Sequence, residues 1–463
     1  MFEELRKLYS TGATFDVAFR KERLRRLAAC LEAERGALES ALKADLGKSA
    51  EEAWLTEIGF VEREIAHALR HIDRWMRDKS VRTPLFMFPG KSRLVAQPRG
   101  LVLIISPWNY PIQLSLSPLV AALSAGNVAV VKPSEFAPAT SHWLAEHLPK
   151  VIGSDVVAVV EGGVPETTEI LAQKFDFIFF TGSTRTAKVI AHAAAEHLTP
   201  TVLELGGKSP CIVVRCGDVE SAARRIAFAK FVNAGQTCVA PDYVVVEKRL
   251  RDGLISALKK SISSMYGPEN APQSMAHIIN ARHFERLERL LGHGEHIIYG
   301  GARQVESLVF APTLIEVTPD HPIMRDEIFG PILPIIVAED GILPDAIIDA
   351  IEQHPLPLAA YLFSDSKKDV RAFRRLRCGG FVHNDALIQL ANIDLQFGGV
   401  GDSGHGYSHG YAGFEAFSHL RSDFYQSSGS RFDFSIKSPP YTEKSMKWLR
   451  RFSALGFNRS PEQ

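Results

Sequence analysis

Long apolar runs are scarce in this chain of 463 residues. The most apolar stretch, 118–131, is interrupted by Ser124, Gly126 and Asn127. It falls short of the roughly 18 apolar residues that a membrane-spanning helix needs. The opening segment MFEELRKLYS is charged and lacks the apolar centre of a secretory leader. An excess of either charge is also missing: 53 Lys and Arg balance 53 Asp and Glu. Without a basic surplus to neutralise phosphates, nucleic-acid binding is not expected. Cysteine is sparse and odd in number: Cys30, Cys211, Cys216, Cys238 and Cys378. With no CxxC and no His pair at zinc-finger spacing, neither a disulfide scaffold nor a metal site is expected. The expected setting is a reducing cytoplasm, where a single cysteine can serve as a nucleophile.

Hydrophobic residues make up 46% and charged residues 23%, the balance of a folded enzyme. The length exceeds one ordinary core, so two or more domains are expected. Residues 1–80 read as helices, with Trp54, Ile58, Val61, Ile65, Leu69, Ile72 and Met76 recurring at three- and four-residue steps. Pro84, Pro89 and Gly90 break that pattern, and Arg93 to Gln97 reads as a short extended piece.

An alternation then begins. LVLIIS at 101–106, NVAVVKPS at 127–134, VVAVVEGG at 156–163, FDFIFFTGS at 175–183 and TVLELGGKS at 201–209 are short apolar runs separated by helical stretches. Such runs fit parallel strands covered on both faces, so the fold class is α/β with a doubly wound parallel sheet. A second α/β segment extends from about 207 to 400, and the glycine-rich stretch from Phe397 to Gly413 reads as loop. Ligands of doubly wound sheets bind beyond the carboxyl ends of the strands, which directs attention to Asn109, Lys132, Glu135, Gly182 and Glu204.

Cys238 lies among small residues in NAGQTCVAP. A free cysteine is ordinarily an inert buried hydrophobe, yet its thiolate is a strong nucleophile where substrate can approach. Glu204, in LELGGK, is either half of an ion pair, with Lys208 in reach along the chain, or a general base whose pKa is raised by an apolar site. Asn109, in PWNYP, is either turn chemistry or an amide aimed at an oxyanion. GSTRTA at 182–187 stands where a helix amino terminus meets a phosphate, but it is not a clean GxGxxG. Lys132 and Glu135, in VVKPSE, can hold ribose hydroxyls or lie in solvent.

PWNYP, VVKPSE, GGVPETTE, FTGST, HLTPTVLELGGKSPC, NAGQTCVAPDY, DEIFGP and FGGVGDSG occur in this order. With them the chain resembles the aldehyde dehydrogenase superfamily, and its class 3 branch of fatty and aromatic aldehyde dehydrogenases in particular. The resemblance implies NAD(P)-dependent oxidation of medium-to-long aliphatic or aromatic aldehydes through a cysteine thiohemiacetal and thioester. Cys238 would be the nucleophile, Glu204 the general base and Asn109 the oxyanion amide. Lys132 and Glu135 would bind the adenosine ribose, and Gly182, Ser183 and Thr184 would approach the pyrophosphate. Glu327 and Phe329 would hold the nicotinamide ribose and ring, with Trp108 and Gly206 lining the cleft.

The resemblance further implies a cofactor domain of 1–80 and 98–206, a catalytic domain of 207–400, bridging elements at 81–97 and 401–440 that join a homodimer, and a tail at 441–463. NAD is the expected cofactor, because the Glu135 carboxylate would repel a 2′-phosphate; NADP stays open. Departures from the class 3 pattern are Arg185 and Ala187 where glycines are usual, Gln396 where proline is usual, and His383, read as a change in the substrate wall. Arg185 either contacts a phosphate or points to solvent. Trp448, Phe452 and Leu455 share one face of the tail with Lys444, Lys447, Arg450 and Arg451 nearby; the face either packs on a partner subunit or touches a membrane surface peripherally. Two other readings remain: a CoA-acylating dehydrogenase, and a catalytically silent structural relative.

Overall fold

The computed structural model describes residues 1–457 except 85, 86, 88, 270, 271, 273, 274, 293–295 and 429–438, with side chains of the last helix described through residue 451. The apolar runs assemble into a six-stranded sheet in the order Gly404–His405, Thr201–Glu204, Phe177–Thr181, Leu101–Ile105, Val128–Lys132, Val157–Val159. Five strands are parallel, and Gly404–His405 closes one edge antiparallel to Thr201–Glu204. The winding reverses between Leu101–Ile105 and Phe177–Thr181, the switch point beside which doubly wound sheets bind ligands.

The runs need no polar alternation because both faces are covered. Val102 and Ile104 join one core with the helices Val17–Ala33, Gly59–Trp75 and Gln113–Ala125. Leu101, Leu103 and Ile105 enter the opposite core, under Thr184–Glu196. A seven-stranded sheet repeats the plan in the order His296–Tyr299, Thr313–Glu316, Ile332–Ala338, Tyr243–Glu247, Pro210–Val213, Ala359–Phe363, Gly380–His383. All its pairings are parallel except the first. Cys211 and Val213 face one of its cores, Ile212 and Val214 the other. Residues 205–209 cross from one sheet to the other, so the carboxyl end of Thr201–Glu204 opens onto the amino ends of Pro210–Val213 and Tyr243–Glu247.

A third, antiparallel sheet joins Lys79–Val81, Lys91–Pro98 and Ser418–Tyr425. The extended piece at Arg93 to Gln97 is its middle strand. Two expectations change. The expected bridging element 401–440 includes 401–417, but Gly404 pairs with Glu204 and the helix Gly410–Ala416 packs on Gln113–Ala125. Apolar burial explains it: Phe417 is fully buried, with ring centroids 4.9 Å from Phe177 and 5.7 Å from Phe179. Trp54 leaves the apolar face of its helix, because a π-helical turn at Trp54–Ile58 rotates it outward to 41% exposure while Ile58, Val61, Ile65 and Ile72 stay buried. The tail forms the helix Glu443–Phe457; the side chains of Phe452 and Leu455, invoked for its apolar face, lie outside the described residues. No described helix is long and apolar enough to cross a membrane.

Phe417→Ala should leave a cavity between the sheet and the returning chain and cost about 3–5 kcal/mol. Thermal unfolding of the variant should show a clearly lowered midpoint; an unchanged one would remove Phe417 from this core.

Candidate active site

The segment carrying Cys238 follows the helix Val219–Phe231 in an unusual backbone path. Asn233 (φ 54°), Ala234 (φ 53°) and Gly235 (φ 73°) are consecutively left-handed, a conformation disfavoured for a Cβ-bearing residue such as Ala234. Gly235 is required, since a Cβ there would collide with the Gly330 carbonyl.

Hydrogen bonds compensate the strain. The Asn233 N–H donates to Glu52 Oε1 at 2.7 Å, and its side chain donates to the carbonyls of Asn109 (2.8 Å) and Gln236 (3.2 Å). Gln236 Nε2 donates to Asn233 O at 3.1 Å and His277 O at 3.0 Å, while its Oε1 accepts from the Ile279 N–H at 3.0 Å. Asn109 Nδ2 donates to Gln236 O at 3.0 Å, leaving its second amide hydrogen available. Asn109 therefore belongs to the frame of the Cys238 loop and can serve as more than a turn former.

Cys238 is partly exposed and lines a cavity of about 500 Å³. Burial, then the nearby carboxyls of Glu327 and Glu204, hold its thiol well above the ordinary value. The N–H groups of Cys238 and Val239 pull in the opposite direction by favouring the thiolate. Glu204 lines the same cavity. Its Oε1 accepts from Ser408 Oγ at 3.1 Å, and its Oε2 has no hydrogen-bond partner among the described residues. Burial pushes this carboxyl up to about 8, against the Ser408 hydroxyl, which lowers it. The ion-pair alternative with Lys208 fails, because Lys208 Nζ bonds Asp242 Oδ2 at 2.5 Å and the carbonyls of Ile323 (3.0 Å) and Asp326 (2.9 Å).

The Lys208–Asp242 pair sets the loop that carries Glu327 and Phe329. Asp242 Oδ1 accepts from the Ile328 N–H at 3.0 Å, and Arg286 Nη2 donates to Ile328 O at 2.6 Å. Phe329 takes φ 48° and meets Trp108 edge-on with centroids 5.4 Å apart. Glu327 stands so close to Gly206 that a Cβ there would collide with its carboxyl, and burial, then Asp242, push that carboxyl up to about 8.

At the carboxyl edge of the six-stranded sheet, Lys132 is buried with its ammonium bonded to Pro133 O at 2.7 Å and 3.9 Å from Glu135. Donors to spare and a half-exposed neighbouring carboxylate suit a ribose. Gly182 connects Phe177–Thr181 to the helix Thr184–Glu196, whose amino end Ser183 caps by accepting from the Thr186 N–H at 3.2 Å. Thr184 Oγ1 donates to Asp402 O at 3.3 Å. This edge fits a dinucleotide, with the helix amino end offered to a phosphate. Arg185 is exposed, whereas Ala187 is buried between helix and sheet, where its methyl fits the close packing a glycine would allow.

One expectation is corrected. His383 is exposed, its Nε2 lies 2.8 Å from Ser364 O, and it does not line the cavity; it stands at the end of the edge strand Gly380–His383, away from Cys238. Ser408 went unremarked within the glycine-rich stretch, as did Lys48, whose ammonium bonds Glu57 at 2.5 Å and Asn109 O at 3.2 Å. A lysine buried in the short connection between the helices Arg35–Leu46 and Ala50–Ala53 leaves no pattern in sequence.

A cysteine and a buried carboxylate that forms no ion pair among the described residues face one apolar cavity, beside a sheet edge that fits a dinucleotide, and this arrangement suits a dehydrogenase site. The aldehyde dehydrogenase family pattern matches residues 3–422, and the chain belongs to that family; it is an oxidoreductase that oxidises aldehydes. Among similar proteins, the 4,4′-diaponeurosporen-aldehyde dehydrogenase of Staphylococcus aureus is 41% identical over 97% of this chain and 98% of its own length. Aldehyde dehydrogenase family 3 member B1 of Bos taurus is 43% identical, covering 96% of this chain and 95% of its own. A substrate-bound structure of Staphylococcus aureus AldH superposes with a TM-score of 0.94 at 40% identity, covering 98% of both chains.

Lys208→Met should strand the buried Asp242 charge and cost about 3–5 kcal/mol. Thermal unfolding and the Michaelis constant for the dinucleotide should both worsen; a variant unaltered in both would show that the pair does not hold the Glu327 loop.

Proposed function

We propose that Cys238, Glu204 and Asn109 carry out the oxidation as nucleophile, general base and oxyanion donor. The observation that carries this reading is the placement of Cys238 and Glu204 on one apolar cavity, with Glu204 Oε2 unpartnered. Cys238 loses its thiol proton to water as its sulfur adds to the aldehyde carbon, and the Asn109 amide and Cys238 N–H receive the oxyanion of the resulting thiohemiacetal. NAD, when bound, supplies the acceptor for the hydride. Glu204 then takes a proton from water, whose oxygen attacks the thioester carbon and frees the acid and the thiol. Lys132 and Glu135 would hold the adenosine ribose, with Gly182, Ser183 and Thr184 at the pyrophosphate. Glu327 and Phe329 would hold the nicotinamide ribose and ring, beside Trp108 and Gly206. Glu135 favours NAD over NADP by repulsion of a 2′-phosphate.

The apolar wall, with Phe60, Tyr110, Phe228, Met265 and Leu390, favours medium-to-long aliphatic or aromatic aldehydes. We further propose that the six-stranded sheet with its helices is the cofactor domain and the seven-stranded one the catalytic domain. The chain would work as a cytoplasmic homodimer through the antiparallel sheet, whose exposed Leu420, Phe424 and Tyr425 offer apolar contact.

Initial rates of dinucleotide reduction should be measured with NAD and NADP against hexanal, decanal and benzaldehyde. Cys238→Ala should abolish turnover, Asn109→Ala should lower kcat by about 10²–10³, and Glu204→Gln by about 10²–10⁴. Turnover that survives Cys238→Ala would refute the assignment.

The Glu204 shift has two further consequences. Its base form grows as pH rises, so thioester hydrolysis should climb through about pH 8 in the wild type. A raised carboxyl pKa stabilises the fold below its ordinary value of 4.5, and that stability is lost as pH rises to about 8. The wild type should therefore lose thermal stability relative to Glu204→Gln across this window; parallel pH profiles would contradict the shift.

A further inference from the structure

The charges on the cavity wall are few and sort themselves. Among its lining residues the ionisable carboxylates and guanidiniums are Glu204, Asp385, Arg63, Arg224 and Arg225. Glu204 stands at the reacting end. Arg225 and Asp385 lie 3.8 Å apart, and Arg225 also donates to Asn384 O. That leaves Arg63 and Arg224, which have no carboxylate partner among the described residues. Arg63 rests over the Phe60 ring, 5.7 Å from its centroid, and Arg224 Nη2 donates only to Ser221 Oγ at 3.3 Å.

Both arginines are exposed, and so are three apolar residues lining the same cavity: Leu55 (49%), Phe228 (40%) and Ile388 (57%). The cavity thus has a reacting end at Cys238 and a solvent end formed by an apolar collar with two uncompensated guanidiniums. A wall that binds only an alkyl chain gains nothing from such charges. Arginine's planar fork matches an oxyanion bidentately, while its flat face can stay on an aromatic ring, as Arg63 does on Phe60.

We propose that Arg63 and Arg224 form an oxyanion-binding subsite at the mouth of the cavity, so that the preferred substrates are amphiphilic aldehydes with an apolar body and a carboxylate or phosphate at the end remote from the aldehyde. The inference rests on the reading of the cavity as the aldehyde tunnel. The aldehyde enters first and reaches Cys238, the chain fills the apolar wall, and the anionic head stays in the wet collar without desolvation. Glu204 and the anion stay at opposite ends, so they do not repel one another.

The test compares kcat/KM for alkanals from octanal to hexadecanal with the matched ω-oxo acids, ω-oxo alkyl phosphates and neutral ω-hydroxy alkanals. At one chain length or more, an anionic member should exceed its alkanal and its hydroxy analogue. Each arginine should contribute roughly fivefold, the upper range for an exposed charged pair. The preference should shrink with added salt, and in Arg63→Gln/Arg224→Gln the anionic-to-neutral ratio should fall toward one, mainly through KM. Thermal unfolding of the double variant checks that it folds. Alkanal turnover by the wild type tests the tunnel reading separately.

A wild-type ratio at or below one at every length, with alkanals turned over, would overturn the subsite alone. So would a ratio untouched by the double substitution. Sedimentation with phosphatidylserine vesicles that is lost in the double variant while the ratio stays unchanged would assign the arginines to a lipid surface and likewise overturn the proposal.

Discussion

Lys48 and Glu57 are both fully buried, 2.5 Å apart, and neither touches the cavity. Glu57 Oε2 accepts from the N–H groups of Ile112 (2.8 Å) and Gln113 (3.3 Å), while the Lys48 ammonium reaches Asn109 O and lies 4.1 Å from the centre of the Tyr110 ring. The pair therefore fixes the turn that follows the first strand of the six-stranded sheet. That turn in turn holds Asn233 and Gln236, and through them the left-handed path into Cys238. Two charges removed from water contribute little net stability, and strained residues cost about 1–3 kcal/mol each. What the arrangement secures is position: the loop that carries Cys238 is held by this set of partners.

The same burial acts differently on each ionisable group at the junction of the two sheets. Asp242 is matched by Lys208. Glu204 and Glu327 form no ion pair among the described residues, Lys208 and Lys230 only partly offset the burial of Glu327, and both carboxyls are pushed up to about 8. A carboxyl poised near neutrality can give and take a proton, which a fully ionised one does poorly. Ser408 moderates the shift on Glu204 with one hydroxyl, delivered by the chain that returns to close the edge of the sheet.

Much of this was legible in the sequence, and the reason is physical. The strands were visible because covering both faces demands unbroken apolar runs, as in LVLII and YVVVE, and the site residues because they follow those runs directly. What stayed hidden depends on tertiary contact. The outward turn of Trp54 comes from a π-helical turn that no apolar spacing announces. His383 reads as a change in the substrate wall because it departs from the class 3 pattern, yet its neighbours Asp385 and Ala386 line the cavity and it does not. Ser408 and Lys48 act on groups far away in the chain, 204 and 61 residues off respectively, and local pattern carries no trace of such pairs. The glycines around Gly404–His405 mask its pairing with Thr201–Glu204, although these two residues suffice to carry Ser408 to Glu204.

Where the acyl group sits before water releases it distinguishes this chemistry from any other. The most direct measurement is mass spectrometry of Glu204→Gln mixed with decanal and NAD and quenched in acid, followed by peptide mapping. A decanoyl adduct confined to the peptide bearing Cys238, and turned over too quickly to accumulate in the wild type, is the predicted result. Dinucleotide reduction with no adduct, or with an adduct on another residue, would contradict the assignment of Cys238 as nucleophile and Glu204 as the base that frees it.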